Sequence, residues 1–174
     1  KGACSERDLE RIKRALESAT QGIRALMAEL APAGLSEPRI GAGLAEFARH
    51  FGRSEGVTVD THDDGVPKPL GADSRILLYQ CMRELLRNAV EHGRSGWVGV
   101  RTRVEDEQIV VEVEDRGTGF EPSTIEALPD QRGGFGLYGV RERLKMLRGS
   151  LYIRSSPGSG TLVTLTLPTQ REAE

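Results

Sequence analysis

Glu84 and Asn88 close the segment Glu84-Leu85-Leu86-Arg87-Asn88, a spacing that sets a carboxylate and an amide side by side on one helical face. Both offer hard oxygen donors. Such oxygens suit magnesium, which keeps several waters and shares its other positions with phosphates. Asp115-Arg116-Gly117-Thr118-Gly119 follows, and then Gly133-Gly134-Phe135-Gly136-Leu137. Gly117 and Gly119 let backbone approach a flat ring or a phosphate closely. The second glycine run leads into a helix, whose first N–H groups are free to bind phosphate. An acid and an amide on one helix, an acid at a strand end and two glycine loops, in this order, are the parts of a nucleotide–magnesium site. The second run is not the dinucleotide fingerprint, because its glycines do not directly follow a strand and their spacing differs.

Each part taken singly has a plainer reading. Glu84 and Asn88 fit a solvated helix face. Gly133–Gly136 fits a loose lead into a helix, and Asp115 fits a turn-capping residue before Gly117. Asp115 is the sharpest of the set, since it shares the parity of Ile109, Val111 and Val113 and so continues the inward row of a strand. A buried carboxylate needs hydrogen-bond donors, and an adenine amino group is one. The stretch 116–134, with its glycines, prolines and charges, could close over a ligand as a lid, with Arg132 in reach of a phosphate. A simple connection is the alternative.

The elements that must position these residues follow from periodicity. Residues 72–92 read as a helix with Leu77, Leu78, Cys81, Met82, Leu85, Leu86 and Ala89 on one side, and Gln80, Glu84, Arg87, Asn88 and Glu91 on the other. Strands are expected at 97–104 and 108–115, a helix at 136–148, and strands at 150–155 and 161–167. The last two are joined by the hairpin signal Ser156-Pro157-Gly158-Ser159-Gly160. Upstream, a helix near 41–54 points Leu44, Phe47 and Phe51 inward. Val57–Asp60 reads as a short strand, and Gly65, Pro67 and Pro69 mark a loop. Residues 5–30 read as a helix with a thin apolar stripe (Leu9, Ile12, Leu16, Ile23, Leu26, Leu30), the pattern of a helix that packs on a partner. Pro32, Gly34 and Pro38 break it, which divides the chain into residues 1–38 and 39–174.

Composition narrows the function class. The 174 residues carry a net charge of −2 and 29% charged side chains, so no bulk electrostatic case exists for nucleic acid. No apolar run approaches a spanning helix and no signal-peptide pattern opens the chain, which points to a cytoplasmic location. Lys1 as the first residue suggests a piece of a longer protein. Cys81 reads as a buried small hydrophobe and Cys4 lies in a polar start, an arrangement that does not suggest a disulfide. The three histidines, His50, His62 and His92, lack partners at metal-ligand spacing. His62-Asp63 has the form of a phosphoacceptor dipeptide but sits beside a Gly-Pro loop rather than on a helix. His92 suits a helix C-terminus.

Taken together, the motifs resemble the ATP-binding domain of sensor histidine kinases, in the superfamily shared with gyrase, mismatch-repair ATPases and the ninety-kilodalton heat-shock chaperone. Glu84–His92 (ELLRNAVEH) resembles the N box, Asp115–Phe120 (DRGTGF) the G1 box and Gly133–Val140 (GGFGLYGV) the G2 box. The C-terminal stretch from Gly134 to Pro168 is similar to the subfamily that pairs with helix-turn-helix response regulators. Leu30-Ala31-Pro32, Leu35 and Gly43-Leu44 resemble that subfamily's link from its second dimerisation helix.

The resemblance implies a two-layer α/β sandwich of the Bergerat type. Its mixed, mostly antiparallel sheet would have helices on one face, and an N-terminal helix would be left from the dimerisation module. It also implies ATP and Mg2+ as ligands. By the same resemblance, Asn88 would be the magnesium ligand and Glu84 the general base that polarises the attacking group. Asp115 would bind the adenine amino group, backed by Thr161, and Gly117 and Gly119 would shape the base pocket. Gly134, Gly136 and Leu137 would meet the phosphates. The implied partners are a dimerisation helix bearing the acceptor histidine, absent from this chain, and a response regulator; residues 5–30 could also form a homodimer. Glu91 departs from the Lys or Arg of many relatives, so Arg87, Arg94 or Arg132 would have to supply positive charge. Two further readings are an anti-sigma-type serine kinase and a nucleotide-binding pseudokinase.

Overall fold

Alternation along the strands gives the protein a polar and an apolar sheet face, with Val110 buried on the polar side. The computed structural model describes residues 40–123 and 135–169. These contain helices α1 (Ile40–Glu55), α2 (Ala72–Glu91) and α3 (Phe135–Met146), and strands β1 (Thr58–Asp63), β2 (Trp97–Glu105), β3 (Gln108–Asp115), β4 (Ser150–Ser155) and β5 (Thr161–Pro168). The expected helix over 5–30, together with Cys4, Arg132, Gly133, Gly134 and most of the expected lid, lies outside the described residues.

The five strands form one sheet in the order β1-β2-β3-β5-β4. β1 runs parallel to β2 and every other neighbouring pair is antiparallel. A parallel pair needs a crossover, and α2 supplies it. Val98, Val100, Ile109, Val111, Val113, Val163, Leu165 and Leu167 are buried on the inner face, where α1, α2 and α3 cover them with Leu44, Phe47, Leu78, Met82, Leu85, Leu86, Val140 and Leu144. The Phe47 ring, 4.4 Å from that of Tyr79 by centroid, joins α1 to α2. The opposite face is a polar ladder. Arg101 pairs with Glu114 at 3.1 Å and Arg103 with Glu112 at 2.9 Å. The Trp97 indole donates to Asp60 at 2.7 Å beneath the Arg116 guanidinium. The fold is thus the expected mixed α/β sheet with its helices on one side.

β1 is longer than expected. Thr61, His62 and Asp63 continue it alongside Val100, Arg101 and Thr102, so His62 is an exposed strand residue rather than a loop residue. Beyond it, Lys68 is 1% exposed. Its ammonium donates to Asp63 at 2.6 Å, to Asp64, and to the Val66 carbonyl at 3.0 Å. Asp63 also takes the Thr102 hydroxyl and Asp64 the Val104 amide. Burial acts to raise the Asp64 pKa, but Lys68 and the Val104 and Val66 amides outweigh it, leaving Asp64 below the usual carboxylate range. The cluster fixes the end of β1 to the loop that launches α2. Cys81 is fully buried in α2, and that burial pushes its thiol pKa up to about 11; it packs as an inert apolar group.

Candidate functional site

α2 holds its apolar side against the sheet, which leaves Glu84 and Asn88 facing the first turn of α3. That turn comes very close because residue 136 is glycine. A Cβ there would stand 3.1 and 3.2 Å from the two terminal atoms of the Asn88 amide and would collide with Glu84 Oε1. Leu137 follows on the same turn and is half-buried. Arg87 Nη2 lies 2.7 Å from both oxygens of Glu84, and its Nε is 3.9 Å from Glu91. Glu91 is an exposed carboxylate at the edge of ion-pair range of that guanidinium, and Arg87 stands between two carboxylates.

Asp115 ends β3 on the inner row and is 8% exposed. Its Oδ1 accepts from the Gly117 amide at 2.8 Å. Thr161 sits opposite it in register and donates to it through both hydroxyl and amide. Burial pushes the Asp115 pKa up; the Gly117 and Thr161 hydrogen bonds pull it back and nearby Glu114 adds to the rise, so the net shift is upward.

Backbone contacts lock the loop after Asp115 in place. A Cβ on Gly117 would collide with the Gly93 carbonyl, and one on Gly93 would stand 3.1 Å from Asp115 Oδ1. Thr118 donates its amide to Gly93 O at 2.8 Å and its hydroxyl to His92 O at 3.2 Å. Gly93 in turn donates to Asn88 O at 2.9 Å, so one residue links the Glu84–Asn88 helix to the Asp115 loop. Gly119 has φ +57° and a Cβ there would meet the Ser156 and Gly160 carbonyls; both backbone angle and space demand glycine. On the far side, the Phe120 amide donates to Ser155 Oγ at 2.9 Å and the Gly158 amide to Thr118 O at 2.6 Å.

The structure thus brings Glu84, Asn88, Gly136 and Leu137 together, and groups Asp115, Gly117, Gly119 and Thr161 beside them across Gly93. Gly134 lies outside the described residues. Arg94, at φ 52°, occupies the turn after α2, where a left-handed residue ends the helix. Sequence reasoning missed Gly93, Ser95 and Ser155. Ser95 is buried and takes the Arg116 amide at 3.1 Å. Ser155 could have been found by the rule that found Asp115: it shares the parity of Leu151 and Ile153, so a hydroxyl stands in an inward row.

Comparison with known proteins agrees with this fold. Residues 73–171 match the family model described as histidine kinase-, DNA gyrase B-, and HSP90-like ATPase. Over 160 residues the chain is 28% identical to the oxygen sensor histidine kinase NreB of Staphylococcus carnosus (strain TM300), covering 91% of this chain and 45% of that one. Over 166 residues it is 25% identical to the signal transduction histidine-protein kinase/phosphatase DegS of Brevibacillus brevis, covering 95% and 42%. The chain therefore spans less than half the length of these relatives. A histidine kinase domain from the Erythrobacter litoralis EL346 blue-light activated histidine kinase has the same fold, with a TM-score of 0.63 and 23% identity over 84% of this chain and 70% of that one. Among the described residues, no helix is long and apolar enough to cross a membrane. The chain belongs to the family of histidine kinase-, DNA gyrase B- and HSP90-like ATPases.

Proposed function

From that membership we propose that the chain binds Mg-ATP and is the catalytic part of a protein-histidine kinase in two-component signalling. In this reading it transfers the γ-phosphoryl group to a histidine on a dimerisation helix, from which the phosphate passes to an aspartate of a response regulator. The observation that carries the proposal is the contact of Gly136 with Glu84 and Asn88. It sets the opening turn of a helix, with its unbonded N–H groups, directly over an amide and a carboxylate.

Asp115, backed by Thr161, accepts from the adenine amino group, and Gly117 and Gly119 let the ring lie against backbone. Gly134, Gly136 and Leu137 meet the phosphates. The Asn88 amide oxygen fits magnesium, a hard ion that needs few protein ligands; when bound, the ion would neutralise charge on the phosphate oxygens. Glu84 accepts a hydrogen bond from one N–H of the acceptor imidazole, so that the other ring nitrogen attacks the γ-phosphorus as the bond to ADP breaks. Catalysis is then positioning and charge compensation. Residues 5–30 belong, in this reading, to the dimerisation module, where they pair with a second copy or with the acceptor helix, in the cytoplasm.

Calorimetry with and without magnesium tests the site. Asn88→Ala should lose the magnesium-dependent part of ATP affinity while keeping its fold, since Asn88 lies on the polar side of α2. A variant that binds Mg-ATP as the parent does would remove the metal assignment. Incubation with labelled ATP and a separately supplied dimerisation module should label that module alone, with acid-labile, base-stable phosphate.

A further inference from the structure

Ser155 ends β4 on the same inner row as Asp115. The register sets Asp115 opposite Thr161, and Thr161 opposite Ser155, so three polar side chains cross three strands at the site end of the inner face. The Ser155 hydroxyl is engaged on every side. It accepts from the Phe120 amide at 2.9 Å, lies 2.9 Å from the Gly160 carbonyl and 3.0 Å from Thr161 Oγ1.

Each hydroxyl has one proton to give. That of Ser155 faces the Gly160 carbonyl, and either hydroxyl can donate across the contact between Ser155 and Thr161. Thr161 stands opposite Asp115 in register, and hydrogen bonding to it favours the ionised carboxylate. Asp115 also takes the Gly117 amide at 2.8 Å. The Phe120 amide, Ser155, Thr161 and Asp115 are thus tied into one polar row that ends on an acceptor-only carboxylate.

We infer that Ser155 is a specificity-determining positioning residue. Through Thr161, its neighbour in the row, it holds Asp115 in place as an acceptor, which selects a purine presenting an amino group there over one presenting a carbonyl. The inference rests on the reading that Asp115 faces the base. Ser155 also carries the Phe120 amide, so the same hydroxyl orders both the carboxylate and the loop beside it.

The test is calorimetric affinity for ATP and GTP, with inorganic triphosphate as a control for the phosphate end, on the parent and on Ser155→Ala, Ser155→Thr and Asp115→Asn. Ser155→Ala should weaken ATP roughly five- to tenfold, the scale of one lost hydrogen bond, leave triphosphate unchanged and shrink the ATP-to-GTP preference. Ser155→Thr keeps the hydroxyl and suits a strand, so it should restore the preference. A purely structural role would instead lower thermal stability and weaken both nucleotides equally, which overturns the inference. If Ser155→Ala does not fold, Ser155→Cys, with its weaker donor, should show the same loss of preference in smaller degree, and a preference unchanged in Ser155→Cys overturns the inference. A preference lost in Asp115→Asn but intact in Ser155→Ala sinks the role of Ser155 and leaves the base reading standing. A preference intact in Asp115→Asn, or absent from the parent, sinks both.

Discussion

Asp115 carries two opposed demands. Burial raises its pKa, while the Gly117 and Thr161 donors favour the ionised form. For an acid the sign is clear: with the folded value raised, the proton is held more tightly in the folded protein. The group's contribution to stability is most favourable below the ordinary value of 3.8 and is lost as pH rises through the raised value. Ligand binding runs the other way, because only the ionised form is a pure acceptor. ATP affinity should therefore fall on acidification at a higher pH than an ordinary aspartate would give, relative to inorganic triphosphate titrated in parallel. Asp115→Ala should weaken ATP by about 1.5–3 kcal/mol, the worth of a charged hydrogen bond. Gly136 is a second single-residue test. It is not at positive φ, so its role is one of space, and the Cβ of Gly136→Ala would push into Glu84 and Asn88. Thermal unfolding should move little while Mg-ATP affinity drops about tenfold; a normal affinity would mean that α3 can stand off without cost.

Elements with one clear period are legible in the sequence alone. The alternation of Ile109, Val111 and Val113 places Asp115 on the inner row because a strand has only two faces. The helix expected over 72–92 is α2, Ala72–Glu91, with Leu85, Leu86 and Ala89 buried and Glu84 and Asn88 on its polar side. Polar stretches are illegible wherever tertiary pairing decides them. Thr61-His62-Asp63 reads as the start of a loop, yet pairing with β2 keeps it extended. Lys68 stands between two prolines and looks exposed; only Asp63 and Asp64, brought round by the end of β1, make its burial tolerable. Ser155 is hidden beside a hairpin signal that explains it adequately as a turn flank. The two-residue β2–β3 turn uses Asp106 and Glu107 at φ 49° and 58°, positions where Asn-Gly is the usual signature. Lys68→Met should destabilise the domain by about 3 kcal/mol, since it leaves two partly buried carboxylates facing each other. Urea unfolding would check this, and a loss under about 1 kcal/mol would mean that the aspartates escape to solvent.

Across the molecule, the sheet and the helices share the site unequally. Strand ends and the β4–β5 hairpin build the Asp115 side, through hydroxyls and amides within the inner face. α2 and α3 build the Glu84 side, where Glu84 meets a guanidinium that is 52% exposed and that in turn leans toward Glu91, 59% exposed. Dissolved salt reaches these two ends differently. At physiological ionic strength the screening length is about 8 Å, and it shortens further as electrolyte is added. The Arg87 pairs therefore weaken in concentrated salt, while the Ser155–Thr161–Asp115 row, sheltered within the sheet, does not. With phosphoryl transfer as proposed and nucleotide held at saturation, kcat should decline as sodium chloride is raised toward about 0.5 M, at the scale of one exposed ion pair. Arg87→Gln should be slower at low salt and nearly indifferent to further addition, and the ATP-to-GTP preference should stay level throughout. The surrounding electrolyte would then set how fast this protein works without altering which nucleotide it chooses.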